Sequence, residues 1–164
     1  MKALAIVIAA IALAATEAKS MPIRFETVTL KDAPAATINL AYRTGVVEKH
    51  PVVLMLGSIE KDELPDWSTG LVDEGYMLCA FSVAHPPDPD ESRRPVWLYF
   101  DARFANSYAL GGRRAVGDTQ RVIDYLVSRG DIQRDKIGWF GSSSTGIPGL
   151  SVVTQGPRLA AIVA

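Results

Sequence analysis

The sequence has one cysteine and two histidines, and nowhere does it gather charge of one sign into a long run. A single Cys79 cannot close an internal disulfide, so a disulfide scaffold is excluded. Its place in the apolar run YMLCAFSV reads as a buried strand residue. With 17 basic and 18 acidic residues, the formal net charge is −1. That balance gives no electrostatic case for nucleic acid or an acidic membrane as partner, and no nucleic-acid partner is expected. Internal repeats and low-complexity tracts are missing too. G-x-G-x-x-G does not occur, which removes the dinucleotide fingerprint. What is present is an ordinary globular composition: 164 residues, 48% hydrophobic, room for one domain with a real core.

One uninterrupted apolar stretch runs from Ala3 to Ala15, directly after Lys2. It is short for a bilayer span and fits the central part of a secretory signal, with small residues at candidate cleavage sites after Ala14, Ala15 or Ala18. Residues 1–18 are therefore expected to be a signal peptide, followed by a domain over 22–164. An uncleaved N-terminal anchor and a buried first helix are the competing readings. Cleavage would leave an exported protein, periplasmic or extracellular, with no stable membrane anchor. No cysteine stands near the cleavage region, so a lipid anchor is not suggested.

Beyond the signal, IRFETVTL and ATINLAYRT nearly alternate apolar and polar residues and read as two strands, separated by KDAPA and paired as a hairpin. PVVLMLGS (Pro51–Ser58) is a continuous aliphatic run, the pattern of a strand buried on both faces. WSTGLVDEGY suggests a short helix weakened by Gly70, and YMLCAFSV a second buried strand. HPPDPDESRRP, with four prolines among charges, must be loop. The aromatic segment from Trp97 to Tyr108 fits either core or the wall of an acyl or sugar pocket. From Arg114 to Arg129 the apolar residues fall on one helical face, and Gly130 is expected as a C-terminal cap. KIGWFG then reads as a short strand, GIPGLSVVTQ as a helix and LAAIVA as a last strand. Two strands followed by strand–helix alternation predict an α/β fold: a mostly parallel sheet with helices on both faces. Ligand chemistry in such sheets collects at the carboxyl ends of the strands, where Gly57–Ser58, His85 and Gly141–Gly146 all fall.

The stretch GSSSTG (Gly141–Gly146) admits three readings. As a phosphate loop it has G-x-x-x-x-G spacing, but Ile147 and Pro148 stand where Lys and Ser or Thr are needed, so the electrostatic part is missing. As a polar turn it would merely cap a helix. As a nucleophile elbow it follows a strand, precedes a helix and places Ser143 two residues after Gly141, the order needed to lift a serine oxygen above a sheet. In a register shifted by one, Ser144 would be the nucleophile.

With these residues the segment GDTQRVIDYLVSRGDIQRDKIGWFGSSSTG resembles the helix–strand–elbow segment of the α/β-hydrolase superfamily, within it the dienelactone-hydrolase, acetyl-esterase and prolyl-oligopeptidase-like members. The resemblance is specific from about Gly111 to Gly146. It implies a serine hydrolase acting on a small-molecule ester or a peptide, with Ser143 as the catalytic nucleophile and no cofactor or metal. The oxyanion hole would use the backbone N–H of Ser144 and, by position after the earlier buried strand, that of Ser58. Two departures stand out: Thr145 replaces the glycine two residues after the serine, and Leu56 replaces the histidine that the family carries before Gly57.

The superfamily's chain order is serine, acid, histidine. After Ser143 these residues include no Asp, Glu or His, and both His50 and His85 precede it. His50 sits before a strand, at the end away from the site; His85 sits at the productive end of its own. The expectation is accordingly the front part of a longer hydrolase, the domain being incomplete after LAAIVA, or else a shortened relative without catalysis.

Overall fold

The computed structural model describes residues 21–31, 33–59, 63–64, 66–82, 102–141, 150–152 and 158–163, with backbone alone at 33–36 and 102–114. Six strands are β1 (Ile23–Leu30), β2 (Ala33–Arg43), β3 (His50–Leu56), β4 (Met77–Ser82), β5 (Ile132–Phe140) and β6 (Ala161–Val163). Among the described residues, α1 (Asp66–Asp73) lies between β3 and β4, and α2 (Ala102–Ser128) between β4 and β5. The strands form one sheet in the order β1-β2-β4-β3-β5-β6. β1 pairs with β2, and β2 with β4, antiparallel; β4, β3, β5 and β6 are parallel to one another. The expected hairpin and the parallel sheet after it are both present.

Side chains along a strand point alternately to opposite faces, and that period sorts the apolar residues into two layers. Ile38, Leu40, Val52, Leu54, Met77, Cys79, Phe81, Ile137 and Trp139 pack on one face with Val122, Ile123 and Leu126 of α2. Ala41, Leu78 and Ala80 face the other way and pack with Val72 of α1 and with Ile59. β4 has neighbours on both edges and a layer on both faces, so Met77 through Phe81 are all inaccessible. Its reading as a buried strand, with Cys79 inside, holds. Burial also pushes the Cys79 thiol well above its ordinary range, which keeps it protonated and inert.

Four boundaries differ from the sequence reading. KDAPA is not only a connection: β2 starts at Ala33, and a register irregularity between Thr29 and Leu30 absorbs the mismatch. α2 begins at Ala102 rather than Arg114 and runs through Gly111 and Gly112. Two glycines cost about 1 kcal/mol each in a helix interior, a local penalty that the rest of the long helix outweighs. β5 begins at Ile132, before the apolar run, because Ile132 already pairs with His50; a register irregularity then separates that pair from Val52–Ile137, where the apolar run joins the ladder. Gly130 is not a left-handed cap. The left-handed glycines among the described residues are Gly45, Gly57 and Gly75, and α2 ends instead with Arg129 N–H donating to Leu126 at 3.1 Å. Of the helix expected over GIPGLSVVTQ, residues 150–152 are helical and the rest lie outside the described residues.

Candidate active site

The parallel strands give the sheet two chemically different ends. At the amino end, His50 opens β3 and is 3% exposed. Its Nδ1 lies 2.8 Å from the carbonyl oxygen of Gly75, and its ring meets Tyr42 edge-on at 5.0 Å. A carbonyl only accepts, so Nδ1 carries the proton and donates. His50 and Leu56 are the two ends of the seven-residue β3, about 20 Å apart along an extended strand. His50 is therefore a structural histidine at the amino end of the sheet, remote from the carboxyl end, as its position in the sequence implied.

Beside it lies a polar cluster. Arg129 holds Asp131 through two nitrogens at 2.9 and 2.6 Å and reaches Glu26 at 3.0 Å. Tyr42 donates to Glu26 at 2.6 Å, and Arg24 pairs with it at 3.0 Å. Burial alone would raise the Glu26 pKa, but the bonds from Tyr42 and Arg129 and the two guanidinium charges prevail and hold it below the usual carboxylate range. Asp131 is lowered chiefly by its bonds from Arg129. Burial, then the bond to Glu26, raises Tyr42. This cluster ties the hairpin to the end of α2 and the start of β5. It is architecture, at the wrong end of the sheet for the proposed chemistry.

The carboxyl end is where the sequence reading expects the site. β3 and β5 are adjacent and parallel, with Leu54 beside Trp139 as the last registered pair. Each strand ends in a glycine that makes one further ladder bond. Gly57 N–H donates to Phe81 at 3.0 Å, and Gly141 N–H donates to Val163 at 2.9 Å. Gly57 has φ +140°, a conformation L side chains rarely adopt, and turns the chain out of the sheet. Ser58 follows, exposed, and then Ile59, buried. Trp67, in the first turn of α1, stacks on Phe140, the last residue of β5, with ring centroids 4.8 Å apart and planes tilted by 33°.

Of the predicted site residues, Ser58 follows the carboxyl end of β3, which neighbours β5, the strand that leads into GSSSTG. Ser143, Ser144 and His85 lie outside the described residues, as do Trp97 to Asp101 of the aromatic segment. Two features were missed: the burial of Ile59 and the Trp67–Phe140 contact. The apolar Ile59 between Ser58 and Glu60 was a usable signal for the first. Nothing local marks the second, because Trp67 and Phe140 come together only through the sheet. Among the described residues no three His, Cys, Asp or Glu side chains gather as a metal ion requires.

This arrangement recurs in solved structures. A prolyl endopeptidase aligns with 89% of this chain and 21% of its own, at 14% identity and a TM-score of 0.61. The fold is that of the α/β-hydrolases. A ferulic acid esterase from Streptomyces cinnamoneus matches over 85% of this chain and 57% of its own, at 17% identity and a TM-score of 0.57. An acetyl xylan esterase from Paenibacillus sp. R4 matches over 90% and 55%, at 16% identity and a TM-score of 0.52. The chain thus spans about a fifth of the endopeptidase and somewhat over half of each esterase. No protein-family model matches the sequence, and no curated protein is similar to it. The α/β-hydrolase fold therefore rests on the structure, with the esterases and peptidases as its neighbours.

Proposed function

We propose that this α/β-hydrolase-like chain belongs to an exported serine hydrolase that cleaves esters through an acyl-enzyme on Ser143. The observation that carries the reading is the launch of two loops from neighbouring parallel strands, at Gly57 and at Gly141, both at the carboxyl end. That is where an elbow serine and an oxyanion donor must meet. In the step proposed, Ser143 Oγ bonds to the ester carbonyl carbon as its proton passes to a base. The C–O bond breaks, and the alcohol leaves with a proton. Water then releases the acid by the same route in reverse. The N–H groups of Ser144 and Ser58 hold the negative charge that develops on the carbonyl oxygen. No cofactor or metal enters these steps.

A base and its orienting acid complete such a site. Among the histidines of this sequence, His50 is excluded by its position. An acid and a histidine from polypeptide beyond these residues fit the superfamily's order, and His85 is the alternative within them. A prolyl-oligopeptidase-like peptidase is the second reading, favoured by the endopeptidase neighbour. A non-catalytic binding protein on the same fold is the third.

The deciding experiment treats the exported protein with a fluorophosphonate probe and maps the adduct. Labelling of Ser143, abolished in Ser143→Ala, supports the reading. Adduct on Ser144 moves the register by one, and no adduct on any serine of GSSSTG rejects the nucleophile.

A further inference from the structure

β3 leaves the sheet at Gly57. The N–H of Gly57 is spent in the ladder on Phe81. Among the described residues no backbone carbonyl accepts from the N–H of Ser58, the next residue, whose side chain is exposed. Ser58 therefore has a glycine in a left-handed conformation on one side. Glycine gives the loop its direction but no hold, since a Cβ built at Gly57 would meet nothing within 4 Å.

The hold is on the other side. Ile59 is 6% exposed and belongs to the layer beneath α1, with Ala41, Val72, Leu78 and Ala80. A residue that leaves the sheet and at once returns its side chain to the core fixes the peptide before it. The plane of the Gly57–Ser58 peptide is set by where Gly57 leaves β3 and where the Ile59 Cα is held. We infer that Ile59 is the positioning residue of the oxyanion loop, acting through its burial under α1 to aim the Ser58 N–H. The inference rests on the serine-hydrolase reading above. Misplacing one oxyanion donor by about 1 Å or losing it costs on the order of 100-fold in rate.

The test compares Ile59→Ala, Ile59→Val and Leu78→Ala in the full exported protein, well below each variant's unfolding midpoint. Leu78 lies in the same layer but on β4, inside the sheet, so its truncation reports packing loss without freeing the loop. The fluorophosphonate labelling rate of Ser143 per folded molecule is measured, together with hydrogen exchange at the Ser58 amide. The expected result is a fall of tenfold or more in labelling for Ile59→Ala, faster exchange at Ser58, and near-complete recovery in Ile59→Val. Leu78→Ala is expected to lower the midpoint while labelling stays within twofold. Equal labelling in Ile59→Ala and the unchanged protein, or equal losses in Ile59→Ala and Leu78→Ala, overturns the role of Ile59 alone. No labelling of the unchanged protein overturns the serine-hydrolase reading and this inference with it.

Discussion

His50 Nδ1 donates to the carbonyl oxygen of Gly75 across 2.8 Å, joining the start of β3 to the turn that delivers β4. Those two strands are neighbours in the sheet, so the bond locks the amino end of the parallel core. It also gives His50 a structural task at the end of the sheet away from GSSSTG. His50→Ala is expected to destabilise the protein by about 1–3 kcal/mol, the cost of a lost buried bond and an orphaned carbonyl. Fluorophosphonate labelling per folded molecule should not change. A labelling rate that collapses while the thermal midpoint holds would restore His50 as a catalytic candidate.

Gly75 is the sharpest backbone constraint in the same turn. It has φ +90°, and a Cβ there would stand 2.9 Å from Val47 Cγ1. Gly57→Ala, by contrast, meets only the conformational penalty, about 1–3 kcal/mol. Gly75→Ala adds a clash to the same penalty and should lower the unfolding free energy further. Denaturant melts of the two variants check the order, and a smaller loss at Gly75 would contradict the geometry.

Stability should fall at both extremes of pH for identifiable reasons. Glu26 and Asp131 have lowered pKa values, so the stability they add is present above their unfolded values, about 4, and is lost as pH falls through the folded ones. Tyr42 is raised, so its contribution is complete below the unfolded phenol value of about 10 and is lost as pH rises through the folded one. Glu26→Gln should flatten the acid limb of the midpoint-against-pH curve and reduce stability near neutrality. An acid limb as steep as before would mean that the cluster does not control it.

Export makes a separate prediction from residues 1–20 alone. Mass spectrometry of the secreted or periplasmic protein should find an N-terminus between Ala15 and Lys19. A membrane-bound product that retains Met1 would reject the signal-peptide reading, and the exported location with it.

Much of this molecule was legible before its structure. The run YMLCAFSV announced a strand buried on both faces, because a central strand has no polar side to display; VVLML is buried on one face through Val52 and Leu54 and half-buried on the other. The period of Val122, Ile123 and Leu126 announced the helix that covers one face. The strand expected before GSSSTG is present as β5. Chain order alone marked His50 as remote. Local signals misjudged Gly130, Gly111–Gly112 and the start of β2, because propensity acts over a few residues while pairing and packing act across the sheet.

Other relationships belong to the tertiary structure only. Sequence cannot say that β4 enters between β2 and β3, that Arg129 reaches back across the chain to Glu26, or that Trp67 stacks on Phe140. Each joins segments far apart in the chain, and its free energy appears only once the sheet has brought them together. The same is true of Ile59. Its apolar side chain is written in the sequence, but its burial exists because α1 folds back over the face that Leu78 and Ala80 present. The residues set what each segment prefers; the sheet decides which of those preferences meet.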